Sequence, residues 1–328
     1  MDKPSIGESS AVRLDAPDAA THAPRLSELV QRARSRAPLS TAIVYPCEQV
    51  ALRAAVDAAR LGLIAATFYG PAEQIRALAT ANSIELPGAV IDCGASPVAA
   101  AERAVADAAG GRVQAMMKGS LHSDELLGAV LARDGGLRQS GRITHTFVFD
   151  VPRYQKLLGV TDAVVNIAPD LKTKTAALGN GCELLRRIGV DVPKVAILAA
   201  IETVNPVIPA TLDAAELVRL GQAGHFGAAL VEGPFGFDNA ISQQAARTKG
   251  LQSSVAGQPD LLVVPDLNAG NIFYKSLIYL AGGECAGIVQ GAKVPVILTS
   301  RADSAFSRVA SCALARLFVP DQISGSIC

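Results

Sequence analysis

Short apolar runs typical of buried strands alternate with helical segments along most of this 328-residue chain. In the first third, strands are predicted at residues 42–45, 63–68, 89–92 and 113–117, and helices lie between them. Glycine and proline stand at the junctions, as in Gly70-Pro71. A regular alternation of strand and helix predicts a mostly parallel, doubly wound α/β sheet.

A second run of the same kind follows a polar, glycine-rich segment, RDGGLRQSGR, at 133–142. Its strands are predicted at 146–150, 163–167, 194–199, 228–231 and 261–264, with helices between them at 172–189, 212–223, 240–249 and 270–281. Small polar clusters follow several of these strands, and in parallel sheets such carboxyl-end loops form the ligand crevice.

The last two predicted strands, 286–289 and 294–298, end in a polar loop that resembles the loop after residues 113–117 more than any loop of the second run. The C-terminal segment is therefore expected to return to the first domain. This gives a polar tail at 1–24, a first α/β domain at 25–140 plus 285–328, and an inserted second α/β domain at 141–284. A cleft is expected between the two domains.

Composition limits the classes of function. Basic and acidic residues both number 30, and basic residues do not form a stripe with interleaved aromatics, which argues against nucleic-acid binding. The six cysteines lack metal-ligand spacings and indicate a reducing compartment. The N-terminus has no apolar signal segment, and apolar runs stay below the roughly 18 residues of a membrane helix. A cytoplasmic protein without a membrane or metal site is expected.

Two loops carry the candidate chemistry. Thr299, Ser300 and Arg301 follow a buried strand, and Asp303 or Ser304 can cap the helix after them. A hydroxyl, a guanidinium and a helix N-terminus together suit an oxyanion such as phosphate. These features are also those of an ordinary capped helix with a solvated arginine.

The second loop begins Lys118-Gly119-Ser120, after the strand predicted at 113–117. Its lysine can pair with a phosphate, and its glycine permits a close backbone approach. Ser123 or Asp124 is expected to cap the following helix. An ordinary strand-to-helix loop with a surface lysine is the alternative. Arg138 and Arg142, in the glycine-rich segment, can reach a ligand in the cleft or remain solvated.

Seven short motifs, in this order, resemble the phosphate acetyl/butyryltransferase family, and are closest to its phosphotransbutyrylase-like branch. They are MMKGSLHSDELLGAVL, TDAVVNIAPDL, PKVAILAAIETVNP, DNAIS, TKG, PDLNAGN and QGAKVPVILTSRADS. The likeness covers roughly residues 40–318. It implies two three-layer α/β domains of isocitrate/isopropylmalate dehydrogenase-like architecture with an interdomain cleft. It also implies reversible transfer of a short acyl group, acetyl or butyryl, between coenzyme A (CoA) and inorganic phosphate, by a homodimer or larger assembly, with no metal and no cofactor beyond CoA as substrate.

The resemblance assigns residues as well. In the family pattern Ser300 orients the CoA thiol and Arg301 holds phosphate and developing charge. Asp303 is not at the family's base position, but it is the nearest carboxylate, and we predict that it acts as the base or as part of a relay. Lys118, Gly119 and Ser120 match a family loop at the substrate, and Asn268 and Asn271 match a second one. Gln290 and Gly291, expected beside Ser300 on the neighbouring strand, and Arg142, from the glycine-rich segment, complete the predicted substrate-binding residues.

The chain departs from the acetyltransferase pattern at two positions. Ser307 stands where the family has its aspartate base, and Leu127 stands near the place of a family arginine, whose charge Arg138 or Arg142 can replace. These departures favour one alternative, a non-catalytic CoA- or phosphate-binding module. The other alternative is a dehydrogenase of the same architecture, but the chain has only four histidines and no GxGxxG after a strand.

Overall fold

A computed structural model of the protein describes residues 23–139, 141–300 and 303–321. These residues form one continuous eleven-stranded sheet, in the order β3-β2-β1-β4-β11-β10-β5-β6-β9-β7-β8. The strands are β1 (Leu39–Val44), β2 (Ile64–Gly70), β3 (Val90–Asp92), β4 (Ala115–Lys118), β5 (Thr144–Asp150), β6 (Leu158–Thr161), β7 (Lys194–Leu198), β8 (Leu230–Phe235), β9 (Leu261–Val263), β10 (Glu284–Gln290) and β11 (Val296–Ile297).

Neighbouring strands are parallel except around β10 and β5. Strand β10 is antiparallel to both β11 and β5, and β5 is antiparallel to β6. The predicted mostly parallel sheet is therefore confirmed. Strand β11 lies beside β4, so the C-terminal segment joins the first run of strands. The sheet crosses from one run to the other without a break, and the division into two domains stays a prediction.

Helices cover both faces of the sheet. They are α1 (Pro24–Arg34), α2 (Gln49–Arg60), α3 (Ala72–Ala81), α4 (Pro97–Ala109), α5 (Ser123–Leu131), α6 (Leu171–Arg187), α7 (Pro209–Gln222), α8 (Phe237–Ile241), α9 (Gln243–Thr248), α10 (Leu267–Tyr279) and α11 (Ala305–Phe318). Helices α1, α2, α3, α6, α7 and α11 pack in one apolar core, while α4 and α5, and α8 to α10, pack in two cores on the opposite face. The result is a three-layer α/β/α arrangement.

Three local predictions need correction. The strand expected at 163–167 is a turn, because the Asp162 carboxylate accepts hydrogen bonds from the N–H groups of Val164 and Val165; the true strand, β6, precedes it. The single helix expected at 240–249 is two helices, because the Ser242 hydroxyl caps α9. Of the expected tail, residues 1–22 lie outside the described ranges, whereas Ala23 is buried and α1 begins at Pro24.

Within the ranges that the structure describes, no helix is both long enough and apolar enough to cross a membrane.

The central strand β5 carries a fully buried imidazole, that of His145. Its ring meets Phe147 edge-on, with 4.3 Å between ring centroids. Gly287 on β10 leaves room for the ring, since a Cβ there would come within 2.6 Å of it. Neither ring nitrogen has a hydrogen-bond partner among the described residues. Burial lowers the pKa of His145 from 6.5 to about 3, so the ring stays neutral in the folded protein.

We expect this imidazole to make the protein acid-sensitive. Between pH 6.5 and about pH 3 the unfolded chain binds a proton that the folded chain excludes, so the free energy of unfolding falls with decreasing pH. The slope from this group is about 1.4 kcal/mol per pH unit. His145→Met should flatten the dependence of denaturant midpoints between pH 7 and pH 5, whereas His225→Met, at an exposed position, should not. Equal slopes in wild type and His145→Met would contradict this prediction.

Candidate active site

A cavity of about 330 Å³ opens at the carboxyl ends of β4 and β11. Parallel pairing of β1 with β4, and of β4 with β11, brings the loops after these strands to the same edge of the sheet. Lys118, Ser300 and Asp303 line the cavity from two of these loops, and Asn271 lines it from α10. Four predicted residues from three separate segments of the sequence are therefore brought together.

The loop after β11 holds its carboxylate in a defined position. The Ser300 N–H donates to the Asp303 carboxylate at 2.6 Å, and the Asp303 N–H donates to the Ser300 carbonyl at 3.2 Å. The next residue, Ser304, caps α11, as predicted, by accepting from the Ser307 N–H at 2.9 Å. Arg301 lies outside the described residues.

The Asp303 carboxyl has a raised pKa. Partial burial raises the pKa of its carboxyl above the ordinary value of 3.8, and the Glu284 carboxylate raises it further. The Ser300 N–H, Arg308 and Lys118 act in the opposite direction. A carboxylate with a raised pKa accepts a proton more readily near neutral pH, which is what general base catalysis requires.

Lys118 is a buried cation rather than a surface lysine. The residue is 9% exposed, and its Nζ donates to the Leu121 carbonyl at 3.2 Å. The helix after this loop is capped differently from the prediction. The N-cap of α5 is His122, neither Ser123 nor Asp124, and its N–H donates to the Glu125 carboxylate at 2.7 Å.

Gly119 permits close packing of protein backbone. Its N–H donates to the Val44 carbonyl at 2.8 Å, and a Cβ at this position would lie 2.4 Å from that oxygen and 2.6 Å from the Tyr45 carbonyl. The Ser120 N–H donates to the same Tyr45 carbonyl at 2.8 Å, and the Ser120 side chain does not line the large cavity. The loop is thus fixed against the end of β1.

Gly119→Ala should therefore destabilise the protein by about 1–3 kcal/mol, the usual cost of overpacking, and weaken activity because Lys118 shifts with the loop. Denaturant unfolding and steady-state kinetics measure the two effects. Gly128→Ala is the control, since a Cβ at Gly128 meets nothing within 4 Å. Wild-type stability of Gly119→Ala would show that the loop adjusts.

An aromatic wall that the sequence did not reveal completes the cavity. Phe147 of β5 and Tyr274 of α10 stack with 4.7 Å between ring centroids, and both line the cavity. Burial raises the pKa of Tyr274 to about 12, and the Asp303 charge adds to this shift, so the phenol keeps its proton. The wall combines apolar ring surface with one hydroxyl near Asp303.

Several predicted binding residues lie away from this cavity. Arg142 pairs with Asp170 at 3.2 Å, and both side chains are about half exposed. Gln290 is buried, and its amide donates to the Asn180 carbonyl at 2.8 Å. Asn268, which is exposed, and Gly291, Arg138 and Leu127 also do not line the large cavity.

Glu284 brings a carboxylate to the position where the family aspartate is missing. The hydroxyls of Ser304 and Ser307 both donate to the same Glu284 oxygen, at 2.7 Å and 2.6 Å. The Ser307 hydroxyl also accepts from the Cys285 N–H at 3.3 Å. A carboxylate from β10 therefore lies within hydrogen-bond distance of the side chain at position 307.

The described cysteines do not form a nucleophilic centre. Cys47, Cys93, Cys182, Cys285 and Cys312 are free thiols, and none lines either cavity at this edge of the sheet. Burial raises the pKa of Cys312 to about 12, which keeps it a thiol at neutral pH.

Fold and site together define a doubly wound α/β protein with a carboxylate, a hydroxyl and a buried cation at one cleft. The family model described as Phosphate acetyl/butaryl transferase matches residues 98–316. The chain belongs to this family of acyltransferases, as its motifs predicted. It is 45% identical over 294 residues to the phosphate acetyltransferase of Rhizobium meliloti, covering 90% of this chain and 93% of that one. It is 35% identical to the phosphate butyryltransferase of Clostridium beijerinckii, and the match covers 88% of this chain and 96% of that one.

A solved structure of a branched-chain phosphotransacylase from Enterococcus faecalis V583 superposes with a TM-score of 0.71 at 28% identity, covering 85% of this chain and 99% of that one. The predicted α/β fold class is confirmed. The dehydrogenase alternative is set aside, because the family is now assigned on the sequence as well as the fold.

Proposed function

We propose that the chain transfers a short acyl group between CoA and inorganic phosphate, by direct attack of one substrate on the other. The observation that carries this proposal is the convergence of Ser300, Asp303 and Lys118 on one cavity. A cation suits the phosphate and the developing oxyanion, a hydroxyl suits the thiol, and a carboxylate with a raised pKa suits proton transfer.

The step balances without a redox partner. A phosphate oxygen of HPO₄²⁻ attacks the thioester carbonyl carbon, a C–O bond forms, and the C–S bond breaks. Asp303 accepts the phosphate proton and returns it to the departing thiolate, so acyl phosphate and free CoA thiol are the products. In reverse, Asp303 takes the proton of the thiol, which ordinarily titrates near 8.5. Holding both substrates in one cleft supplies much of the rate enhancement.

The direct test is thioester consumption by purified protein, with and without phosphate, across acetyl-, propionyl-, butyryl- and longer acyl-CoA. Phosphate-dependent release of CoA thiol is the expected result, and the best chain length reports the depth of the cavity beside Phe147 and Tyr274. CoA binding without turnover of any thioester would overturn the proposal in favour of a non-catalytic binding module.

We also propose that the protein works as a homodimer or larger homo-oligomer. Helix α10 exposes Ile272 (68%) and Tyr279, seven residues apart and so on one helix face, and Leu280 (86%) follows its end. Apolar side chains exposed together in this way favour association. Light scattering after size exclusion should give at least twice the 33.8 kDa chain mass, and Ile272→Glu should lower it. A monomeric wild type would overturn this proposal.

A further inference from the structure

A second, smaller cavity of about 80 Å³ adjoins the large one. The two cavities share Lys118, Thr299 and Ser300 in their linings, so these residues stand between them. The other side of the smaller cavity is formed by Arg308 of α11 and by the first turn of α2. Its volume holds a few water molecules or one small ion, and is too small for a CoA thioester.

Two buried cations contribute to this small space. Arg308 is 7% exposed and Lys118 is 9% exposed. Arg308 donates to the Ser300 carbonyl at 3.1 Å, which fixes the guanidinium beside the loop that carries Asp303. Burying a cation is costly unless negative charge lies nearby, and Asp303 is the carboxylate that both cations influence. Two buried cations that line one small cavity suit an anion there.

The first turn of α2 adds to the positive potential. This helix has twelve residues, and Val50 and Ala51 of its first turn line the cavity. Its N-cap, Glu48, makes no side-chain hydrogen bond to the helix, and the free N–H groups of a first turn favour anions. The exposed Glu48 carboxylate also lines the cavity and opposes an anion. Removing the Glu48 charge should therefore strengthen anion binding, whereas removing a cation should weaken it.

We infer that the smaller cavity holds the inorganic phosphate, bound by Arg308 and Lys118, while the thioester occupies the larger one. This assignment rests on the proposed function and adds the separate location of its two substrates. The reacting atoms then meet at the shared wall, where Ser300 stands. The same phosphate chemistry is present in the CoA nucleotide, so the experiment must separate inorganic phosphate from a phosphate group of CoA.

Steady-state kinetics of Arg308→Gln provide the test. The KM for phosphate should rise about 10- to 10²-fold, the usual effect of losing a charge-assisted hydrogen bond, with the KM for acetyl-CoA within about threefold of wild type. The KM for phosphate of Arg308→Lys should lie between those of wild type and Arg308→Gln. Glu48→Gln should lower the KM for phosphate by about two- to fivefold, because it removes a like charge. Arg112→Gln, an exposed arginine paired with Asp107 elsewhere, is the control.

Three outcomes would overturn the assignment. A rise in the KM for acetyl-CoA alone would place a CoA phosphate in the cavity, unchanged KM values would remove Arg308 from phosphate binding, and a Glu48→Gln variant that binds phosphate no better would contradict the electrostatic argument. Because Arg308 also supports the Ser300 loop, thermal melting must show that Arg308→Gln folds. If it does not fold, the KM for phosphate of Glu48→Gln, at an exposed position, tests the assignment independently.

Phosphate titration by calorimetry, with neither CoA nor thioester present, separates this inference from the proposed function. Binding to wild type that is lost in Arg308→Gln would support the cavity assignment even if no thioester were turned over. Wild-type turnover together with phosphate binding that Arg308→Gln leaves unchanged would support the function and overturn the cavity assignment.

Discussion

Replacing Asp303 by asparagine is expected to lower kcat for phosphate-dependent CoA release by about 10²- to 10⁴-fold, the usual contribution of a positioned general base. Asparagine keeps an oxygen for the Ser300 N–H at nearly the same place, so the loop should keep its shape while the base is lost. Binding of CoA and phosphate should change much less than kcat. Asp170→Asn, at an exposed ion pair away from the cavities, is the matched control and should behave as wild type.

The pH dependence gives a second reading of the same residue. The active form of Asp303 is the carboxylate, and its pKa is raised, so kcat should fall as pH decreases through that raised pKa. Glu284 is one cause of the rise, and Glu284→Gln should therefore move the acidic limb of the profile to lower pH. A pH profile of Asp303→Asn that still shows the wild-type acidic limb, at wild-type kcat, would remove Asp303 from proton transfer.

Other charged and ionisable groups bear on Asp303, and the test must account for them. Lys118 and Arg308 hold its pKa down, while the phenol of Tyr274 and the thiol of Cys285 also lie within its electrostatic reach. Burial raises the pKa of both the phenol and the thiol, which keeps them neutral near pH 7. The carboxylate of Glu284 is therefore the group whose replacement isolates the effect of one negative charge.

The strand–helix alternation was readable because buried parallel strands are apolar and short, and their ends carry glycine or proline. It failed at 163–167, where Ala163 to Val165 look like a strand but the Asp162 carboxylate folds them into a turn. Local hydrogen bonding by an Asx side chain competes with strand pairing, and hydrophobicity alone does not register it.

The site was only half readable for a different reason. Ser300 and Asp303 lie within one motif, so spacing alone placed them together. Phe147, Tyr274 and Arg308 reach the cavities from β5, α10 and α11, and only the packed sheet brings them there. The sequence could have indicated Arg308, because it follows Ser300 by eight residues and lies in the first turn of the helix after that loop, α11.

Glu284 illustrates the limit of motif matching. An ungapped count places Ser307 where the family has an aspartate, which suggested a missing charge and a disabled enzyme. In the structure the Ser307 hydroxyl binds a carboxylate from β10 instead, twenty-three residues earlier in the chain. A motif shows which residue occupies a position in the sequence. It does not show which charged side chains from other elements lie next to that residue in the folded protein.

Arg301→Ala is the second change expected to have a large effect. Ser300 and Asp303, which stand on either side of it in the chain, line the large cavity. The family resemblance implies that Arg301 stabilises the negative charge that develops on the reacting oxygens. Loss of one such donor typically lowers kcat by at least about 10²-fold. Arg301→Lys should recover part of this loss, because a lysine restores the charge but not the paired geometry of a guanidinium.

Replacing Arg301, in the loop, and Arg308, in α11, should affect different kinetic constants. An interaction made only in the transition state affects kcat, whereas one made equally with bound phosphate affects KM. Arg301→Ala should therefore reduce kcat with a modest change in the KM for phosphate, and Arg308→Gln should do the reverse. Near-normal kcat in a folded Arg301→Ala protein would remove Arg301 from the site and leave Lys118 and Arg308 as the cations that hold the phosphate.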